Sequence, residues 1–89
     1  MGQSNHFVYI LKCKDDTLYT GYTTDITRRI RAHEEGKGAK YTRGRSPFKL
    51  VYQADCTSKS EAMQLEARIK KMSRKAKMQL IQDYAGGDT

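Results

Sequence analysis

A chain of 89 residues is long enough for one domain with a modest core and too short for two. Two cysteines cannot build a disulfide scaffold or a zinc site, no stretch approaches a membrane-spanning length, and the apolar run near the start lacks the basic flank of a signal peptide, so the chain is expected to be soluble and cytoplasmic. A net charge of +7, with pI near 9.6, points to a polyanionic partner, nucleic acid before membrane.

The first elements read as a β-hairpin. Residues 7–11 (FVYIL) and 17–22 (TLYTGY) are rich in β-branched and aromatic side chains, and Lys14, Asp15 and Asp16 between them favour a turn. Alternation puts Tyr9 on the face of Phe7 and Leu11, and Tyr19 on the face of Thr17 and Gly21, so two phenols can stand side by side. Such a pair is ordinary packing in most sheets. Gly21 beside them, however, leaves backbone room for a close approach.

Thr23, Thr24 and Asp25 supply capping oxygens for a helix over residues 26 to about 35, closed by Gly36. Ile26 and Ile30 share its inner stripe, His33 falls at the margin of that stripe, and Arg29 and His33, four apart, lie along one flank. Arg28, Arg29 and Arg31 crowd its first half, where the helix dipole does not favour cations. Residues 36–47 form a glycine-containing basic loop in which Lys37, Lys40, Arg43 and Arg45 suit phosphate contacts and Tyr41 suits stacking on a base. It is equally the composition of a plain surface linker. A third strand over residues 48–54 should join the hairpin.

Ser58 and Glu61 have capping-box spacing for a second helix, with Ala62, Leu65, Ile69 and Met72 as its apolar stripe. Glu66 sits at the edge of that stripe, where a carboxylate needs a partner: Lys70 one turn on, an arginine across the core, or a metal ion. Ser73 caps a third helix reaching about Asp83, with Ala76, Leu80, Ile81 and Tyr84 available to pack. Residues 1–5 are expected to be a flexible N-terminus, 6–84 the single domain and 85–89 a flexible tail. Basic residues concentrate twice: eight from Arg28 to Lys49 against Glu34 and Glu35, and six from Arg68 to Lys77 with no acid.

The series Tyr9, Tyr19-Thr20-Gly21, Arg29, His33 and Glu66, on two strands and two helices, resembles a GIY-YIG nuclease domain of the small stand-alone bacterial kind, over residues 6–80. Phe7-Val8-Tyr9 stands for the first signature triplet and Tyr19-Thr20-Gly21 for the second. The resemblance implies an α+β fold with a three-stranded antiparallel sheet flanked by about three helices. It also implies metal-dependent hydrolysis of phosphodiester bonds in nucleic acid, DNA ahead of RNA, in repair, recombination or processing. Glu66 would hold one Mg²⁺ or Mn²⁺. Tyr19 or Tyr9 would be the general base, with a phenol pKa lowered by nearby cations, Arg29 would stabilise developing charge, and His33 would orient water or assist proton transfer. Arg28, Arg31, Lys37, Lys40, Tyr41, Arg43 and Arg45 would hold nucleic acid, and a separate protein partner could supply specificity. No asparagine follows Asn5, unlike many members of that family. The competing function is therefore a catalytically weak or inactive nucleic-acid-binding module of the same fold. An adaptor using Met63, Met72 and Met78 is a third reading, against which those methionines are expected to fill the core.

Overall fold

The computed structural model describes residues 5–86. The hairpin consists of β1 (His6–Lys12) and β2 (Leu18–Thr23), followed by helix α1 (Ile26–Glu34), a 3₁₀ turn (Lys40–Thr42), β3 (Lys49–Cys56), α2 (Lys59–Lys70) and α3 (Arg74–Gly86). All strands pair antiparallel in the order β2-β1-β3, giving the α+β architecture of three strands and three helices expected above. Asp16 takes a positive φ of 66° in the hairpin turn, and Asp15 Oδ1 accepts hydrogen bonds from the Thr17 amide at 3.3 Å and its hydroxyl at 2.6 Å. Short polar side chains that bond their own backbone explain why the chain reverses there.

Because it is the central strand, β1 is covered on both faces. Val8 and Ile10 join Cys56, Ala62 and Ile69 in one buried cluster, bordered by Leu18, Tyr22, Tyr52, Leu65, Met72, Leu80 and Ile81. Tyr9 and Leu11, on the opposite side of the pleat, are just as completely buried. A run of four consecutive buried residues is thus shared between a helix-covered core and the site described below. Cys13 and Cys56 are buried free thiols, and burial pushes the Cys56 thiol up.

The helix ends follow their sequence signals. Asp25 Oδ1 accepts from the Arg28 amide at 3.1 Å at the start of α1. At its end Gly36, with φ of 76°, donates to His33 O while Lys37 donates to Ala32 O, the paired bonds of a Schellman turn. Ser58 Oγ accepts from Glu61 N at 3.0 Å, but Glu61 Oε1 returns to the amide of Thr57 at 2.7 Å, one residue before the cap expected for a capping box.

Four local expectations change. His6, outside the first strand expected over residues 7–11, is part of β1; its Nδ1 lies 2.8 Å from Tyr22 Oη and its ring stacks on Tyr22. The third strand begins at Lys49 and continues to Cys56, because β1 offers partners as far as His6. Helix α3 runs through Gly86 rather than ending near Asp83, its last turns carrying Tyr84 edge-on to Tyr52 at 5.4 Å. Met78 is exposed on α3 and does not fill the core. The proposed flexible ends at residues 1–4 and 87–89 lie outside the described residues.

Candidate active site

Tyr9 lies opposite Gly21 in the β1–β2 register, and its phenol crosses the space where a side chain at residue 21 would stand. A Cβ there would come 2.5 Å from Tyr9 Oη and 2.9 Å from the Tyr19 ring, so only glycine lets the two phenols converge. Their ring centroids are 6.3 Å apart. One turn beyond Arg29, the His33 ring is buried between them, edge-on to Tyr19 at 5.3 Å and to Phe48 at 5.9 Å. Gly38 fulfils the matching condition on the far side, since a Cβ there would collide with the imidazole.

Hydrogen bonds through His33 have a fixed direction. Thr42 Oγ1 donates to Ala39 O at 2.8 Å and spends its only proton there. Its 2.8 Å bond with His33 Nδ1 must therefore be donated by the imidazole, which leaves Nε2 as the acceptor of the Tyr9 hydroxyl proton, also at 2.8 Å. The chain Tyr9 to His33 to Thr42 to Ala39 is complete and aimed one way, and its first two bonds are buried. Burial pushes Tyr9 up to about 12, with Arg29 pulling it down and Tyr19 and Glu66 adding to the rise. Burial, followed by the Arg29 charge, lowers His33 to about 4, so the ring is neutral at physiological pH.

Arg29 faces the same two phenols, which, Tyr9 foremost, hold its guanidinium above the usual value. Its Nε is buried and, among the described residues, has no hydrogen-bond partner. A cleft of about 370 Å³ opens beside it, lined by Thr23, Thr24, Asp25, Arg28, Arg29 and Ala32. Glu66 projects from α2 with 18% of its side chain exposed, and its Oε2 pairs with Lys70 Nζ at 3.4 Å, one of the partners anticipated from spacing. Its charge is felt at Tyr9. Among the described residues no three His, Cys, Asp or Glu side chains converge. Glu66 would offer a hard divalent cation one carboxylate, the remainder of its shell being water and phosphate oxygens.

Three site expectations are revised. His33 is a buried hub between the phenols rather than a residue at a helix margin, because Gly38 opens room for it. Tyr9 is raised rather than lowered, since desolvation outweighs the neighbouring guanidinium. The loop over residues 36–47 is folded onto the site by the 3₁₀ turn, with Thr42 buried at its centre. Thr42 was not among the candidates: one hydroxyl in a basic glycine loop carries no periodic signal, and only its proximity to Gly38 and Pro47 marks the segment as structured.

Of the other basic candidates, Arg28, Arg31, Lys37, Lys40 and Arg43 are exposed. Arg45 is engaged internally: its guanidinium contacts Asp15, its Nε donates to Tyr41 O at 2.7 Å, and it lies 4.5 Å over the Tyr41 ring. Tyr41 in turn stacks on Tyr19 at 5.9 Å and keeps 45% of its surface exposed.

An antiparallel three-stranded sheet that brings two tyrosines, an arginine and a histidine together, with a helix-borne glutamate on a neighbouring element, defines a small α+β domain built around one phenol, imidazole and guanidinium cluster. The GIY-YIG catalytic domain family model matches residues 5–79, and the chain belongs to that family. It is 60% identical over 77 residues to UPF0213 protein BH0048 of Halalkalibacterium halodurans, covering 86% of this chain and 82% of the relative. UPF0213 protein NP_0776A of Natronomonas pharaonis is 53% identical over 83 residues, covering 93% and 98%. Among solved structures, the solution NMR structure of UPF0213 protein BH0048 from Bacillus halodurans matches with a TM-score of 0.62 at 57% identity over 91% of this chain and 86% of that one. That of EF2693 from E. faecalis gives a TM-score of 0.63 at 38% identity, over 93% and 92%.

Proposed function

We propose that the protein hydrolyses phosphodiester bonds in nucleic acid, DNA ahead of RNA, as an endonuclease that depends on a divalent metal and serves DNA repair, recombination or processing. The observation that carries this reading is the one-way hydrogen-bond chain from Tyr9 through His33 to Thr42, set beside the unpartnered Arg29 Nε. A binding surface needs cations; it does not need a buried phenol whose proton is aimed at a neutral imidazole.

Tyr9 acts here as a positioning residue. Its phenol is held too high to lose its proton and His33 too low to keep one, so their bond fixes the two rings, and the partly exposed Tyr19 phenol beside them bonds the attacking water, whose proton passes to solvent. The neutral imidazole keeps its Nδ1–H on Thr42, and the water oxygen bonds to phosphorus as the ester bond breaks. Arg29 neutralises charge building on the phosphate oxygens, and Tyr19 packs against Tyr9 and His33 and fixes their positions. Glu66 would hold Mg²⁺ or Mn²⁺, and such an ion supplies charge stabilisation to the phosphate and the departing 3′ oxygen. Arg28, Arg31, Lys37, Lys40 and Arg43 meet the nucleic-acid backbone without reading sequence, so specificity is for structure or ends unless a protein partner adds it.

The ion pair of Glu66 with Lys70 is the observation favouring the second reading, a binding module with little or no turnover. Incubating the protein with labelled single-stranded, duplex and branched DNA and with RNA, in Mg²⁺, Mn²⁺ or EDTA, separates the two. Glu66→Ala should abolish cleavage and leave salt-sensitive binding nearly intact. Binding with no cleavage of any substrate by the unmodified chain would establish the module instead.

A further inference from the structure

Apart from Lys70, which pairs with Glu66, the second basic concentration, from Arg68 to Lys77, takes no part in the site above. It borders a separate cleft of about 180 Å³ lined by Thr17, Leu18, Tyr41, Arg74 and Lys77. One wall is the first turn of α3, the floor is the start of β2, and the other wall is Tyr41. Arg74 is fixed in place, its Nη2 donating to Asp16 O at 2.9 Å across the hairpin turn. The acids nearby are already occupied: Asp15 by Arg45, and Asp16 by Lys12 at 3.4 Å. Within the run itself Lys70 pairs with Glu66, while Arg68, Lys71, Arg74, Lys75 and Lys77 have no carboxylate within 4.0 Å among the described residues. The cleft is therefore cationic and lacks an internal counter-charge.

Its position decides what that charge is for. Tyr41 forms its wall and stacks on Tyr19, whose ring neighbours Tyr9 and His33, so the cleft opens one ring away from the reacting centre. A nucleic-acid strand laid across Tyr19 and Arg29 would continue past Tyr41 into it. Arg45 over the Tyr41 ring leaves that ring a wall rather than a stacking platform, which favours a phosphate over a base as the occupant.

We propose that this cleft, through Arg74 and Lys77, binds the phosphodiester backbone of the substrate strand adjoining the cleaved phosphate. The assignment rests on the nuclease reading for its direction, but its test is a binding measurement made without turnover.

Anisotropy of a labelled single-stranded oligonucleotide is followed in EDTA across a range of salt concentrations. Two lost phosphate contacts in Arg74→Ala/Lys77→Ala should make the slope of log affinity against log salt shallower by about 1.4. Since Arg74 also holds the hairpin turn, Lys77→Ala is measured alone and should account for about 0.7 of that change. Lys59→Ala, which removes one exposed charge at the start of α2 and not from the cleft lining, should leave the slope as it was and is compared with Lys77→Ala alone. An unchanged slope in the cleft variants, or an equal change in the control, overturns the proposal. Failure of the nuclease reading would look different: the slopes would respond as expected while no substrate is cut in Mg²⁺ or Mn²⁺.

Discussion

Burial drives Tyr9 and His33 in opposite directions and leaves them 2.8 Å apart, a phenol that holds its proton facing an imidazole that does not want one. Which ring nitrogen faces the phenol depends on Thr42, whose hydroxyl has its proton committed to Ala39. Thr42→Val keeps the shape and removes that instruction. Groups that orient an imidazole are worth on the order of 10- to 100-fold in activity where they have been measured in metal sites. We expect cleavage by Thr42→Val to fall by about that factor while oligonucleotide affinity is unchanged, with Thr42→Ser restoring the rate. Single-turnover cleavage set against anisotropy measures the two separately, and equal losses in both would reduce Thr42 to a packing residue.

The hairpin carries the tightest geometric condition. Gly21 on β2 lies beneath the Tyr9 phenol, and the strand pairing fixes the distance between the two backbones. Gly21→Ala forces Tyr9 off its rotamer or pushes the strands apart. Overpacking of this kind costs about 1–3 kcal/mol, to be read by urea denaturation, and the displaced hydroxyl no longer reaches His33, so cleavage is lost with it. A variant as stable as the original would show that the phenol has room to spare. Tyr9, Tyr19, Gly21 and Arg29 were legible in the sequence because strand alternation and helix spacing are regular. The pairing of Glu66 with Lys70 was legible for the same reason. The depth of His33 and the role of Thr42 were not, since both depend on a loop folding back over the sheet. No period in the sequence encodes that return path. The sign of the Tyr9 perturbation was lost too, as neighbouring charges can be counted from a sequence while desolvation cannot.

For the molecule as a whole, a neutral buried histidine ties stability to pH. Unfolded, an imidazole titrates near 6.5; folded, His33 does so at about 4. Above 6.5 neither state binds the proton. Between the two values the unfolded chain binds it and the folded chain does not, so stability is full above about 6.5 and is lost as the pH falls toward 4, by roughly 2–3 kcal/mol. Urea denaturation at about pH 7 and about pH 4.5 should show this fall, and His33→Gln should flatten it. An equal fall in the variant would assign it to carboxylates such as Asp15 and Glu61, whose pKa values are lowered by their bonds to Thr17 and Thr57.

The middle strand has no side turned to solvent. Val8 and Ile10 anchor the helices, and Tyr9 between them is bonded to His33. Heritable change at those positions cannot be sorted into scaffold and site, so selection for a folded chain also preserves the arrangement around His33. New specificities in such lineages are left to arise at the periphery, on the cations and in the clefts around the sheet.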